Sequence, residues 1–230
     1  MITAHSGCEG TPDNSMESIQ KSIELGADCA EIDIYMDAQG ALWLTHDELE
    51  DYSNAVALED ALRVIAESKI AVNCDIKKEN LLYPVLEAAE AAGISRKDLI
   101  FSGSVDVDIL KKDPRIVGRA RIFLNFEQIC LYMTGKKLQS YEEAAAFFDA
   151  HVEEIAALVK ELGVEYINPS FRLMIPERID LAHAHGIALS LWTVNEETEQ
   201  RSLMQKNLVN MTTRNVSGAL RVRRECFYAI

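Results

Sequence analysis

Four charged side chains form two pairs with strand-like spacing. Glu31 and Asp33 are two residues apart, and so are Asp75 and Lys77. Because residues i and i+2 of a strand point to the same side, each pair is expected to share one face of its strand. Three carboxylates that converge in a partly desolvated place repel one another unless a cation neutralises them. Since Mg²⁺ and Ca²⁺ prefer such oxygen ligands, the spacing favours a divalent metal site formed by Glu31, Asp33 and Asp75.

Two histidines are expected to flank the carboxylates. His5 ends the first predicted strand, and His46 ends the second strand of a predicted hairpin over Leu42–Thr45. A single histidine at a strand end is typically a hydrogen-bonded structural residue. A pair beside an acidic cluster favours general acid and base chemistry instead, since the unperturbed pKa of histidine is about 6.5. The alternative is that the carboxylates are solvated or paired with Lys77, and a lone E-x-D would carry little information.

Alternating strand-type and helical runs extend along the whole chain. Strands are predicted near residues 3, 32, 73, 100, 122, 167, 191 and 211, each followed by a predicted helix. Phe126–Ser140 is expected to be loop with at most a helical turn. Eight such units predict a single α/β domain over residues 1–230, a (β/α)₈ TIM barrel without a large helical insertion. The alternative, an open doubly wound sheet, is disfavoured because no glycine-rich phosphate loop follows the first strand.

Composition and charge exclude several classes of protein. The 230 residues are 48% hydrophobic and 26% charged, which excludes a disordered or fibrous chain. The longest apolar runs are shorter than the ~18 residues of a membrane span, and no signal-peptide pattern is visible. The 37 acidic against 23 basic residues give a formal charge of −14, which opposes binding to nucleic acid and anionic membranes. An odd number of cysteines without a CxxC pair predicts buried thiols and a cytoplasmic location.

In their order along the chain, these residues resemble the motifs of the glycerophosphodiester phosphodiesterase family. The family pattern is H-R-G, P-E-N, G-A-x-x-x-E-x-D, D-G, H-D, E-x-K and W-T-V-N. The matching segments are His5–Gly7, Pro12–Asn14, Gly26–Asp33, Gln39–Gly40, His46–Asp47, Asp75–Lys77 and Trp192–Asn195. The resemblance covers nearly the whole chain and is densest up to residue 77. The ordered set is specific, whereas no single motif is.

The resemblance implies a (β/α)₈ barrel that hydrolyses a glycerophosphodiester to an alcohol and glycerol 3-phosphate. A small-molecule phosphodiester is then the expected partner, while the oligomeric state stays open. The resemblance implies that Glu31, Asp33 and Asp75 hold a divalent metal, either Mg²⁺ or Ca²⁺.

The resemblance also implies roles for residues around the metal. His5 and His46 would be the acid and base, one deprotonating the nucleophile and the other protonating the leaving alcohol. Lys77 would contact the phosphate. Trp192 is predicted to line the substrate pocket, because aromatic side chains often do so, with core packing as an equally weighted alternative.

Several positions depart from the family pattern. The arginine after the first histidine is Ser6, which cannot replace a charged phosphate donor. The third metal ligand, Asp75, is one methylene shorter than the usual glutamate, and Asp13 likewise replaces the glutamate of P-E-N. The segment Asn210–Asn215 matches the T-D-R-P ending of the family poorly.

The departures leave two alternatives open. One is a non-catalytic or altered-specificity barrel that binds a phosphorylated ligand, and Ser6 is its best support. The other is an enzyme acting on a lysophospholipid or sphingolipid head group. It ranks below a soluble substrate because no amphipathic membrane helix is evident in the sequence.

Overall fold

The structure of the protein is a computed structural model that describes residues 1–227. The strands in this range are β1 (Ile2–Ala4), β2 (Cys29–Met36), β3 (Leu42–Leu44), β4 (Val56–Ala57), β5 (Ala71–Ile76), β6 (Leu99–Gly103), β7 (Arg121–Asn125), β8 (Tyr166–Asn168), β9 (Ala188–Leu191) and β10 (Asn210–Thr213). The α-helices in this range are α1 (Met16–Leu25), α2 (Leu58–Ser68), α3 (Leu82–Ala91), α4 (Val107–Lys112), α5 (Phe126–Thr134), α6 (Tyr141–Leu162), α7 (Pro176–Ala184), α8 (Glu197–Met204) and α9 (Val216–Phe227).

Eight of the strands form a closed parallel barrel. Their order is β1-β10-β9-β8-β7-β6-β5-β2, and a parallel pairing of β1 with β2 closes the ring. The hairpin strand β3 pairs antiparallel with β2, and the short strand β4 pairs with β3. The predicted single-domain (β/α)₈ barrel is therefore confirmed, and no large helical insertion follows the hairpin. The two-residue strand β4 was not predicted.

The main hydrophobic core lies between the strands and the helices. Ile32, Ile34 and Ile76 are at most 1% exposed and belong to the same buried cluster as Leu62 and Ile65 of α2. These isoleucines alternate along β2 and β5 with the acidic residues, so the acidic side chains point to the other face of the sheet. The strand alternation thus directs the carboxylates into the barrel interior.

A chain of hydrogen bonds crosses the barrel interior from β1 to β7. Thr3 Oγ1 donates to Asn210 Oδ1 at 2.7 Å, and Asn210 Nδ2 donates to Ser190 Oγ at 3.0 Å. Ser190 Oγ donates to Asn168 Oδ1 at 2.7 Å, and Asn168 Nδ2 donates to Asn125 Oδ1 at 2.8 Å. Buried polar groups are costly unless they are paired. These linked hydrogen bonds therefore favour the observed arrangement of the five strands that contribute to them.

The prediction that Phe126–Ser140 is mainly loop is wrong. Its first part, Phe126–Thr134, is helix α5, which buries Phe126, Ile129 and Cys130 and ends at Gly135 with φ of 72°. The three buried residues have the i, i+3, i+4 spacing of one helix face. The helix follows β7 directly, without a separating loop and without a side-chain cap at Asn125, so the usual start signal is missing.

The cysteines and the helices bear on two properties considered in the sequence, the state of the thiols and membrane spans. Four cysteines are buried free thiols, and the fifth, Cys226, is half-buried. Within residues 1–227, no helix has both the length and the apolar character that crossing a membrane requires.

Candidate active site

One cavity of about 530 Å³ opens at the carboxyl ends of the barrel strands. All seven side chains singled out in the sequence line it: His5, Glu31, Asp33, His46, Asp75, Lys77 and Trp192. The carboxyl ends of parallel strands are where active sites of such barrels lie. The structure therefore brings the whole predicted set together at one mouth.

The register of β2 and β5 explains why the three carboxylates converge. Asp33 lies opposite Asp75 on neighbouring parallel strands, and Glu31 lies one inward-facing position deeper than Asp33. One carboxylate oxygen of each residue lies within 4.8 Å of the others. Burial, together with the charges of Asp75 and Asp33, raises the pKa of Glu31 to about 7, although His5 acts in the opposite direction. Burial also raises the pKa of Asp75.

The arrangement fits a divalent cation. Asp75 Oδ1 is buried and has no hydrogen-bond partner among residues 1–227. Glu31 is 8% exposed, and within the described residues its oxygens have two long polar contacts, 3.3 Å from Asn73 Nδ2 and 3.7 Å from His5 Nε2. Buried acceptors are normally satisfied, so under-bonded carboxylate oxygens at one point favour a hard cation with oxygen ligands.

Lys77 partly neutralises the acidic cluster. Its Nζ lies 3.0 Å from Asp33 Oδ1 and 2.9 Å from Asp75 Oδ2. Burial lowers the pKa of Lys77, but the two carboxylates outweigh this effect and raise the pKa above its ordinary value. The alternative in which the acids pair with Lys77 therefore describes Asp33 and Asp75, while Glu31 lies 3.7 Å from His5 Nε2.

The two histidines lie in different surroundings. His5 Nδ1 is 2.8 Å from the carbonyl oxygen of Ser6. Because a carbonyl only accepts hydrogen bonds, Nδ1 carries the proton in the neutral ring and Nε2 faces Glu31 with a free lone pair. His46 lies at the rim, with its side chain 65% exposed and its Nδ1 3.1 Å from Asp47 Oδ2.

A pair of polar residues that sequence reasoning did not assign to the site holds Asp33. Asn14 Nδ2 donates to Asp33 Oδ2 at 2.9 Å, and Asn14 Oδ1 accepts from the backbone N–H of Asp33 at 3.0 Å. Ser6 Oγ in turn donates to Asn14 Oδ1 at 3.1 Å and accepts from the Asn14 backbone N–H. Ser6 is 2% exposed and is not among the residues that line the cavity, and its hydroxyl orients Asn14. The P-E-N match was the sequence signal for Asn14.

Gly103 permits the close approach of Asp75. Its φ is +79°, and a Cβ built on it would lie 1.8 Å from Asp75 Oδ1. Gly103 ends β6, beside the carboxyl end of β5. The absence of a side chain at this position therefore leaves the space that the Asp75 carboxylate occupies.

The cavity is also lined by three further residues, of which only Trp192 was predicted to belong to the site. Trp192 lines it, and its indole N–H donates to the Asn168 carbonyl oxygen at 2.9 Å. Its role in binding substrate stays a prediction. Glu127 of α5 and Arg214 after β10 also line the cavity. Glu127 had no recognisable signal, since its segment was expected to be loop. Arg214 stands at the arginine of the T-D-R-P ending, which its segment otherwise matches poorly.

Comparison with known proteins gives one relative by sequence and many by fold. No protein-family model matches the chain. The chain is 20% identical over 232 residues to a glycerophosphodiester phosphodiesterase of Caldanaerobacter subterraneus subsp. tengcongensis, covering 93% of each chain.

Two solved structures illustrate the likeness in fold. A glycerophosphodiester phosphodiesterase from Parabacteroides distasonis has a TM-score of 0.72 at 16% identity, covering 98% of this chain and 97% of the other. An Oleispira antarctica phosphodiesterase in complex with the product sn-glycerol-3-phosphate has a TM-score of 0.70 at 15% identity, covering 97% and 96%. The resemblance to the glycerophosphodiester phosphodiesterase family that the ordered motifs indicate is thus confirmed along nearly the whole chain.

Proposed function

We propose that the protein hydrolyses a glycerophosphodiester to an alcohol and glycerol 3-phosphate. The observation that carries this proposal is the convergence of Glu31, Asp33 and Asp75 beside the free Nε2 of His5. The resemblance along the chain supports the same reaction, and the solved Oleispira antarctica structure contains sn-glycerol-3-phosphate as product.

In this proposal Glu31, Asp33 and Asp75 hold a divalent cation, Mg²⁺ or Ca²⁺. When bound, the cation supplies positive charge to the non-bridging phosphate oxygens. Lys77 adds an ammonium at the same mouth and keeps Asp33 and Asp75 oriented. A mouth that is acidic in isolation thereby becomes attractive to a phosphodiester anion.

His5 and His46 transfer the protons in this proposal. One histidine accepts the proton of the nucleophile, which is either water or a neighbouring hydroxyl of the substrate. If the hydroxyl attacks, the first product is a cyclic phosphodiester, which a water molecule then opens to glycerol 3-phosphate. As the new P–O bond forms and the bond to the leaving alcohol breaks, the other histidine gives a proton to the departing oxygen. His5 is oriented for either role by its bond to the Ser6 carbonyl. His46 stands at the rim, where an alcohol leaves toward solvent.

The proposal extends to the surroundings of the reaction. Trp192 forms a wall against the substrate, which we expect to be a soluble small molecule. Four buried free thiols support a cytoplasmic location, because free thiols persist in reducing compartments.

The experiment is a turnover assay on a panel of glycerophosphodiesters that differ in the alcohol. Release of glycerol 3-phosphate is followed by ³¹P NMR with Mg²⁺, with Ca²⁺ and with excess EDTA. We expect turnover that requires the cation and is lost in Glu31→Gln, with an unchanged melting temperature as the control for folding. A wild-type protein that binds the cation and hydrolyses no member of the panel would contradict the proposal.

A second candidate function is a non-catalytic barrel that binds a phosphorylated ligand. The observation that favours it is Ser6, which stands where the family motif has an arginine and whose hydroxyl is committed to Asn14. Under this candidate, calorimetry would show cation-dependent binding of sn-glycerol 3-phosphate, and the turnover assay would show no hydrolysis of any diester.

A further inference from the structure

We propose, on the basis of the phosphodiesterase function above, that Arg214 binds the substrate phosphate from the opposite side of the mouth to Lys77. The guanidinium of Arg214 takes the part that Ser6 cannot play. Three observations support this inference: the contacts of the last strand, the position of the guanidinium and the charges around the cavity.

The end of β10 holds residue 214 beside the turn that follows β1. Thr213 is the register partner of Ala4, and the Thr213 carbonyl oxygen accepts from the His5 backbone N–H at 2.9 Å. The Arg214 carbonyl oxygen accepts from the backbone N–H of Glu9 at 2.8 Å. Arg214 thus starts next to the His5–Gly7 turn although it is distant in sequence.

The backbone of Arg214 is also fixed from β9. Asn195 Oδ1, which follows that strand, accepts from the Arg214 backbone N–H at 2.9 Å and faces Thr213 Oγ1 at 3.4 Å. A side chain on a fixed backbone loses less conformational freedom when it binds a ligand. Arg214 therefore offers a preorganised donor at the cavity edge.

The guanidinium lies across the backbone of Gly7, on the side of the cavity. Arg214 Nη1 is 2.7 Å from Asp13 Oδ1, and a Cβ built on Gly7 would lie 2.6 Å from the same Nη1. Gly7 is the residue after Ser6, so the charge reaches the turn that would otherwise carry an arginine. Both Arg214 and His5 line the same cavity.

The charge balance of the mouth makes Arg214 the more available cation. Among the residues lining the cavity, Lys77 and Arg214 carry the permanent positive charges. Lys77 is held by two carboxylates and is only 16% exposed. Among residues 1–227, the Arg214 guanidinium has one carboxylate partner, Asp13, and the two side chains are 41% and 57% exposed. Ion pairs this exposed are weak, so a phosphate can replace the carboxylate and take two parallel N–H donors.

The test compares Arg214→Gln and Arg214→Lys with Asp13→Asn and a matched control, Arg201→Gln. Arg201 also forms a half-exposed ion pair, with Glu225, on the outer helices α8 and α9. Two quantities are measured for each variant: binding of sn-glycerol 3-phosphate to the cation-loaded protein by calorimetry, and kcat and KM for the diester that the wild type hydrolyses best. Thermal melting checks that each variant folds.

We expect Arg214→Gln to weaken glycerol 3-phosphate binding and raise KM by about tenfold or more, as loss of a charged hydrogen bond does. Arg214→Lys retains part of the affinity because it keeps the charge but not the paired donors. Asp13→Asn retains or tightens binding because it removes the competing carboxylate. Arg201→Gln leaves both quantities unchanged.

Two results would overturn the role of Arg214. One is glycerol 3-phosphate binding by Arg214→Gln within about twofold of wild type, since a charged hydrogen bond is worth more than that. The other is an equal loss in Arg214→Gln and Asp13→Asn, which would make Arg214 a structural partner of Asp13. Failure of the proposed function is distinguishable: a wild type that hydrolyses no diester but binds glycerol 3-phosphate through Arg214 contradicts the activity and supports this inference.

Discussion

The two histidines are the residues on which the proposed proton transfers depend. His5 is held by the Ser6 carbonyl and faces Glu31, whereas His46 is 65% exposed at the rim. His46 is largely exposed, so its loss is expected to affect chemistry more than folding. His5 is only 21% exposed and is bonded to the Ser6 carbonyl, so thermal melting of its variants is measured beside the kinetics.

We predict that His5→Ala and His46→Ala each lower kcat by about 10²–10⁴-fold, the usual contribution of a positioned acid or base. Steady-state kinetics with a glycerophosphodiester measure the effect, and His151→Gln on α6 is the matched control at a half-exposed histidine outside the cavity. Near-normal turnover in either alanine variant would exclude that histidine as a proton donor or acceptor.

At the scale of single residues, the sequence was sufficient to predict which side chains come together, but not the contacts that those side chains make. All seven predicted side chains line one cavity, because strand alternation and barrel topology suffice to place them. Two sets of contacts were not predictable: the hydrogen bonds that link Ser6, Asn14 and Asp33, and the approach of Arg214 to Gly7. They depend on turn geometry and on the pairing of β1 with β10, and neither can be inferred from a local sequence pattern.

Among the elements, the ends of the strands β5 and β6 shape the proposed metal site. Asp75 lies at the end of β5, and Gly103 at the end of β6 leaves room for its carboxylate. Gly93, in the turn after α3, has nearly the same φ, +80°, but no heavy atom outside its chain neighbours lies within 4 Å of a Cβ built on it. A side chain at Gly103 therefore adds clashes with Asp75 Oδ1 and with the Ile76 carbonyl oxygen, 2.5 Å from the built Cβ, to the strain of a positive φ that both positions share.

We predict that Gly103→Ala and Gly93→Ala both lower the free energy of unfolding, by about 1 kcal/mol or more, because alanine is strained at positive φ. Only Gly103→Ala also displaces Asp75, and it weakens cation binding by about tenfold or more. Denaturant unfolding and calorimetric titration with Ca²⁺ measure the two effects. Equal cation affinities in the two variants would show that Gly103 does not shape the site.

The order of elements was predictable because each parallel strand and each helix of the barrel has its own hydrophobic period. Helix α5 was missed because it continues β7 without a loop or a capping side chain. This error affected the predicted site, because Glu127 and Gln128 in the first turn of α5 line the cavity. When a strand–helix junction of this fold is predicted wrongly, residues at the barrel mouth are therefore missed.

For the whole molecule, the formal charge of −14 has a local exception at the barrel mouth. Under the proposed function, the three carboxylates recruit a cation there, and Lys77 and Arg214 add positive charge. Elsewhere, acidic side chains on the helices pair with arginines, as Glu90 does with Arg119 and Glu225 with Arg201. The proposal therefore attributes attraction of a phosphodiester to the cation-loaded mouth and not to the net charge.

The most direct measurement for the metal centre is a crystal structure of the protein determined with excess Ca²⁺. We predict a cation bound by oxygens of Glu31, Asp33 and Asp75, at about 2.3–2.6 Å from each ligand oxygen. A protein crystallised with Ca²⁺ in which these carboxylates hold no cation and keep their bonds to Lys77 would contradict the account.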